Sequence, residues 1–478
     1  MRSRGFEALA PSCWNFGGAF TAVLAVIAAM MALAAPAGAQ RVPVVGDHET
    51  ESVLIQYANP LLRAANLGSE QVAMRIVPDR SFNAFVLDGQ NVYIHIGTIL
   101  QSKLPNEVIG VIAHEIGHID GAHIAALTSR LQRETTKLVL LRVLGIGAAI
   151  LGGGPGAIMA ADEIIVRGFL AERRQQEAAA DQAGLRYLEN TGQSGRGMLT
   201  TFATLREENR INSAINPYLL SHPTETARIA QLDQRVRASR FFGASDPPER
   251  IRRHQLMRAK LYGYCDQSAG RSAFKAGSLP ALYVQAIAAN CSGDCSGVCT
   301  KANPTSIALI DRLIETGRKQ DATYPYFIEL KGQVLRKSGR AGEAIPHLSK
   351  ALQLVRSNRS RYPGPDTLIE KELARSMIES GDQKHLKGAV SMLERIADLG
   401  EGDASTYDSL AKAYGRRGLI GMADLSTARA HEYRGNFRSA VIFAKRAQRA
   451  LKPGSRGWTK AEDIVRLAPK PRNSLFGP

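Results

Sequence analysis

His114 and His118 stand four residues apart, with Glu115 directly after the first. On a helix this spacing brings two imidazoles to one face, one turn apart, where both can hold a single zinc ion. Zinc polarises a carbonyl and makes water easier to deprotonate. A carboxylate beside the first ligand can take a proton from attacking water and deliver it to a leaving amine. The pattern therefore predicts a peptide hydrolase with one zinc per chain, His114 and His118 as ligands and Glu115 as general base. Two structural histidines beside an incidental glutamate are the competing reading, and the helical context disfavours it.

Two histidines do not complete a zinc site. The extended form of this motif has a glycine three residues past the second histidine and another histidine three further on. Gly121 meets the first requirement, but Ile124 occupies the second position, and His123 is one residue out of register, pointing off the ligand face. The remaining ligand must come from another segment. Glu172, Glu177 and Asp181 follow on a later helix, with Glu177 and Asp181 one turn apart, so one can bind metal while the other orients a ligand histidine.

The elements that position these groups are mostly helical. Met74 to Pro78 and Val92 to Ile96 read as strands, with Asp88-Gly89 as the turn before the second. Pro105 opens a helix on which Val108, Ile109, Ile112, Ala113 and Ile116 recur at helical spacing, placing the His-Glu motif on a helix against a small sheet. An apolar stretch, 138–161, is broken by Gly152-Gly153-Gly154-Pro155 into two segments too short to span a bilayer. It reads as a buried hairpin, or as a lid or peripheral membrane contact near the site. From Leu261 onward the pattern is helical and repetitive. Gly332, Ala344, Leu348 and Ala351 carry tetratricopeptide-like offsets, with Gly339 in the turn. Fainter echoes follow at Ala374, Ala389 and Leu393, at Tyr407, Ala411, Tyr414 and Gly418, and at Ala440, Ala444 and Ala447. The fold class this predicts is mainly α with a small β-sheet, a metalloprotease domain followed by an α-helical repeat solenoid.

The 478 residues are too many for one core. Arg2 and Arg4, the apolar run from Ala19 to Ala35 and Ala37-Gly38-Ala39 have the form of a signal peptide cleaved after Ala39. The formal charge of +17 favours anionic lipid, acidic clients or simple solvation. No nucleic-acid-binding motif accompanies it, and export would remove that partner. Cys265, Cys291, Cys295 and Cys299 form an even set suited to two disulfides in an oxidising compartment, with free thiols or a metal knuckle as alternatives.

Ser81-Phe82-Asn83-Ala84-Phe85, the strand through Tyr93, His114 to His118, Glu177-Ala178-Ala179-Ala180-Asp181 with Gly184, and His222-Pro223-Thr224 with Arg228 occur in order. Together they resemble the BepA- and HtpX-like zinc metallopeptidases, metallopeptidase family 48, in the periplasmic branch that carries C-terminal tetratricopeptide repeats. The resemblance covers about 45–235 and implies a gluzincin-like fold. It implies Glu177 as the third zinc ligand and Asp181 as the group behind a ligand. Asn83 would be part of the strand edge near the site, with Tyr93 in the same substrate-strand region, and Arg228 would give electrostatic support. It also places His222 facing the zinc. From its own context His222 is a turn residue before Pro223; the resemblance adds a catalytic role, as an oxyanion donor or as a removable ligand that holds the enzyme off, of which we favour the latter. Asp88-Gly89-Gln90 departs from the glycine pair usual before the edge strand, and the cysteine segment has no counterpart role.

The expected domains are a signal peptide over 1–39, a zinc metalloprotease over 40–255 and a tetratricopeptide-like array over 256–478. The expected function is a periplasmic zinc endopeptidase for misfolded or stalled envelope proteins, with the outer-membrane assembly machinery as a partner. The alternative is a client-binding chaperone or scaffold that works through the repeats with little proteolysis.

Overall fold

The computed structural model describes residues 42–468 except 69–70, 88, 124, 127–128, 130–155, 212–217, 219–221, 223–225, 300–301 and 322–323, with backbone alone for 156–170 and 208–211. The chain divides by contacts into 1–43 and 44–478, and the elements named below all lie in the second unit. The expected signal peptide, the apolar stretch up to residue 155 and Pro223-Thr224 fall outside the described residues.

Helix α1 (His48–Ala64) starts where the Asp47 side chain accepts from the Thr50 amide, 2.9 Å away. It buries Val53, Leu54, Tyr57, Ala58, Leu61 and Leu62, one continuous face. Strands β1 (Ala73–Val77), β2 (Ala84–Val86) and β3 (Asn91–His95) form a sheet of order β1-β3-β2. β1 runs parallel to β3, and β2 antiparallel to it with Phe85 opposite Tyr93. Two of these strands were legible; β2, three residues long, was not. The short α2 (Ile96–Gln101) leads to α3 (Pro105–Asp120), with Pro105 in its first turn, where a missing amide hydrogen costs nothing.

α3 is central. Val108, Ile109, Ile112, Ala113 and Ile116 are fully buried, and the helix packs on α1, β2, α4 (Gly156–Asn190) and α5 (Arg196–Ile211). Burial of each large aliphatic side chain stabilises by about 1.5–3 kcal/mol. α4 begins directly after Pro155 and runs unbroken for 35 residues, so 156–161 belongs to the helix bearing Glu177 rather than to a separate short helix. α6 (Thr226–Ala238) completes this part.

The rest is a helical array. It comprises α7 (Pro248–Cys265), α8 (Gln267–Ala273), α9 (Leu279–Asn290), α10 (Pro304–Asp321), α11 (Pro325–Lys337), α12 (Ala341–Ser357), α13 (Thr367–Glu379), α14 (Gln383–Asp398), α15 (Ala404–Arg416), α16 (Ile420–Tyr433), α17 (Phe437–Ala450) and α18 (Arg456–Leu467). Each helix packs on the next, and the buried residues fall into successive clusters, as in a solenoid. Ala344, Leu348, Ala351, Ala374, Ala389, Leu393, Ala440, Ala444 and Ala447 are fully buried, and Gly339 turns the chain between α11 and α12 at φ +80°. The 255/256 boundary falls inside α7. Met257 and Leu261 join the core around α3, whereas Leu256 and Ala259 join the first core of the array. Disulfides link Cys265 to Cys295 and Cys291 to Cys299, stapling the α9–α10 loop to the end of α7. No helix of the described residues is long and apolar enough to cross a membrane.

Candidate active site

The site forms where α3 crosses α4. An added Cβ at Gly117 would lie 2.7 Å from the Ala180 carbonyl oxygen, and one at Gly184 would lie 3.0 Å from Ala113 backbone atoms. The two helices thus touch backbone to backbone, and the side chains flanking the contact converge: His114 and His118 from α3, Glu177 and Asp181 from α4.

His114 Nε2 lies 3.1 Å from His118 Nε2, 3.3 Å from Glu177 Oε2 and 3.2 Å from His222 Nδ1. His118 Nε2 is 3.4 Å from Glu177 Oε1, and His222 Nδ1 is 3.0 Å from Glu177 Oε2. One ligand atom from each of His114, His118, Glu177 and His222 fits within 4.8 Å of the others, and all four residues are buried. Behind them, Asp181 Oδ1 meets His114 Nδ1 at 2.9 Å, a bond that keeps a proton on Nδ1 and turns Nε2 inward. Arg228 grips Asp181 through Nε and through a second nitrogen at 2.9 Å, and lies 3.1 Å from Glu177. Its guanidinium also stacks over Phe202.

Glu115 is fully buried with neither carboxylate oxygen hydrogen-bonded, and His222 Nε2 lies 3.4 Å from its Oε1. Burial pushes its carboxyl above the ordinary range, opposed by His222 and His114. Glu177 is also buried, but His222, His114 and His118 overcome that cost and hold it well below the carboxylate range. Burial alone would lower His114, yet Asp181 and Glu177 raise it to about 9, while burial takes His118 down to about 3. Burial likewise works against Asp181, which Arg228 and His114 keep anionic. The result is a buried pocket of imidazoles and two carboxylates, with Glu115 Oε1 and Oε2, Glu177 Oε1 and His222 Nε2 unbonded. This donor set suits a dication of zinc's preference, and orphaned buried acceptors are what such an ion would satisfy.

The other expected residues lie nearby in the fold but outside this cluster. Asn83 precedes β2, exchanging bonds with Thr98 through its amide and carbonyl, and Tyr93 on β3 stacks on Phe85 at 5.2 Å. Glu172 sits a turn before Gln176, from which it accepts a bond of 3.3 Å, and is not in the cluster.

His123 departs from its expected position. The helix ends at Asp120, Ala122 adopts a left-handed φ of +49°, and His123 folds back to put Nδ1 2.9 Å from His118 Nδ1. It does not join the ligand cluster, yet it contacts the ligand-bearing ring from behind, as Asp181 does for His114. Sequence reading also missed Tyr218, buried against the His222 ring at 4.6 Å and edge-on to Phe82 at 5.5 Å. Its spacing four residues before His222, with the His222 amide donating to the Tyr218 carbonyl, was the available signal.

Residues 48–236 match peptidase family M48. The chain is 29% identical over 224 residues to a putative beta-barrel assembly-enhancing protease of Vibrio cholerae, covering 46% of this chain and 45% of that protein. It is 28% identical over 200 residues to the beta-barrel assembly-enhancing protease of Escherichia coli, covering 40% of each. Metalloprotease LoiP of Escherichia coli is 26% identical over 196 residues, 38% of this chain and 72% of that protein. The matches thus span less than half of the beta-barrel assembly-enhancing proteases. Over 48–236, with the His114, His118 and Glu177 cluster inside the matched span, this chain is homologous to the M48 metallopeptidases.

Proposed function

We propose that the protein is a zinc-dependent endopeptidase. The observation that carries this reading is the convergence of His114, His118, Glu177 and His222 within 4.8 Å, next to a buried, unbonded Glu115. His114, His118 and Glu177 would hold one zinc ion, which supplies a Lewis acid for the scissile carbonyl and makes water easier to deprotonate. Glu115 takes a proton from the attacking water and passes it to the leaving amine; its raised carboxyl suits both halves of that transfer. Asp181 fixes the His114 ring and Arg228 holds Asp181 anionic.

His222 is the group we assign to control. Its Nδ1 points into the ligand cluster and its Nε2 toward Glu115, so in this conformation it occupies space that water and substrate need. That supports a removable latch over an oxyanion donor, whose place is beside a substrate carbonyl rather than against the ligands. Phe85 lies on β2, an outer strand of the sheet among the described residues, with Tyr93 opposite it on the central β3 and Asn83 at the entry to β2, and an extended chain can add beyond β2 as a further strand.

The relatives' names, which speak of proteases that enhance beta-barrel assembly, support a role in that assembly; our reading puts it in the periplasm after removal of 1–39, on cell-envelope proteins and beside the outer-membrane assembly machinery. In that reading 40–255 is the protease and 256–478 a tetratricopeptide-like client holder. A second reading, a scaffold or chaperone with little proteolysis, draws on the array alone. Zinc content and cleavage of an unfolded reporter separate the two. Glu115→Gln is expected to keep about one zinc per chain and lose at least about 100-fold in cleavage, while His114→Ala loses zinc. Equal zinc loss in both variants, or no cleavage by either zinc-loaded wild type or zinc-loaded His222→Ala, would reject the protease assignment.

A further inference from the structure

Nothing in the chemistry of the site involves the far end of the array, where α17 has an unusual composition. Phe437–Ala450 contains Arg438, Lys445, Arg446 and Arg449 and no carboxylate. At 3.6 residues per turn, Arg438, Ile442, Lys445, Arg446 and Arg449 fall within an arc of about 100°. Ala440, Ala444 and Ala447, all fully buried, occupy the opposite side. The basic arc is therefore the outward face, and all five of its residues are exposed.

Its cations are mostly unneutralised. Arg446 pairs with Asp424 at 3.0 Å, but Arg438, Lys445 and Arg449, and Lys452 just beyond the helix, have no carboxylate partner among the described residues. Ile442, in the middle of the arc, is 53% exposed, and Tyr433 and Phe437 at the helix entry are each 39% exposed. Scattered apolar exposure needs no explanation, but an isoleucine among cations that are mostly unpaired on one exposed face is the pattern of an interfacial helix.

We propose that the outer face of α17 docks the end of the array on an anionic lipid surface. Arg438, Lys445 and Arg449 meet the headgroups, and Ile442, with Phe437 and Tyr433 at the edge, enters the boundary with the acyl chains. The face runs about 16 Å from Arg438 to Arg449 at 1.5 Å per residue, and a flat surface can touch all of it. An acidic peptide would instead need a cleft. The nearby cavity of about 210 Å³ is lined from α14, α15, α16 and α18 by residues including Glu394, Asp398 and Arg429, and by none from α17. Charge complementarity and exposed apolar groups on one outward face thus favour lipid.

The test is co-sedimentation of the chain from Gln40 onward, which removes the apolar segment before it. The vesicles contain 30% phosphatidylglycerol in phosphatidylcholine, or phosphatidylcholine alone. Binding is expected to the anionic vesicles only and to fall steeply with salt. Each cation near such a surface contributes about fivefold in partitioning, so Arg438→Glu, Lys445→Glu and Arg449→Glu together should cost at least roughly 100-fold. Ile442→Asp alone should weaken binding to anionic vesicles. A control with Arg271→Glu, Lys275→Glu and Lys387→Glu, the same charge change elsewhere, should lose far less. Melting curves and zinc content should match wild type in every variant, since the altered side chains are solvent-facing. Equal loss in the control, equal binding to neutral vesicles, or capture by polyglutamate with no vesicle binding would each overturn the proposal.

Discussion

Gly117→Ala tests whether the crossing of α3 and α4 builds the metal site. The new methyl would sit 2.7 Å from the Ala180 carbonyl oxygen and 2.9 Å from the Ala180 Cα. Backbone cannot swing aside as a side chain can, so an ordinary contact of about 3.4 Å is regained only by moving α4 away by about 0.7 Å. Glu177 and Asp181 flank Ala180 and move with it. Zinc sites tolerate ligand displacements of about 0.2 Å, so the His114–His118 pair and Glu177 would no longer suit one ion. Overpacking of this kind costs about 1–3 kcal/mol, which a fold of this size survives. We expect a folded protein with zinc affinity reduced at least about tenfold and cleavage reduced in parallel. Gly415→Ala, on α15 with nothing within 4 Å of the added carbon, is the control. It should gain up to about 1 kcal/mol and leave zinc unchanged. Competition against a chromophoric chelator reads the affinity, and urea unfolding the stability. Should Gly117→Ala fail to fold, Gly184→Ala, with its milder 3.0 Å contact, takes its place. Wild-type zinc affinity in a folded variant would refute the argument that close helix contact sets the ligand geometry.

Metal titration should rank Glu177→Ala as more damaging than Asp181→Ala, whose effect should stay near 10- to 100-fold; the reverse order would exchange their roles. His222→Ala at matched zinc occupancy should increase basal cleavage of an unfolded reporter, whereas a fall of about 100-fold would make it an oxyanion donor instead. Burial raises the Glu329 carboxyl to about 8 against the pull of Lys260, with Asp47 and Glu49 adding to the rise. Folded protein then keeps a proton that the unfolded chain releases. Its contribution to stability is full below about pH 4.5 and lost as pH rises through 8. Glu329→Gln, which carries no such proton, should therefore gain on wild type between pH 5.5 and 8.5 by on the order of a few kcal/mol. Parallel denaturation midpoints at the two values would contradict this.

The helix carrying the His-Glu motif was legible because its signals are local: Pro105 at the start, apolar residues at helical spacing, and two histidines one turn apart. Glu177 and Asp181 were identifiable as candidates from spacing, but only resemblance selected between them and Glu172, since the choice depends on a contact across 63 residues of chain. β2 escaped because three residues carry no usable alternation, and it becomes a strand only by pairing with β3. His123 escaped for a different reason. Its position depends on a left-handed alanine, a conformation that residue type disfavours and that surrounding structure imposes. The edge of the array was blurred because α7 is buried on two sides, so its apolar residues serve two cores at once.

The first helix and the array share one polar knot. His48 meets the Tyr326 hydroxyl at 2.9 Å, while Glu49, fully buried, accepts from Tyr283 at 2.8 Å and Tyr324 at 2.6 Å; Lys260 closes on Asp47 and Glu49. During synthesis the segment bearing the zinc motif emerges before residues 283–326 exist. Until they arrive, Glu49 lacks its donors and cannot be buried without a large penalty. α1, which packs directly on α3, therefore cannot settle fully until the array has begun to fold. In the nascent chain the helix that backs the His-Glu motif therefore completes its polar contacts only after the first helices of the array have been made.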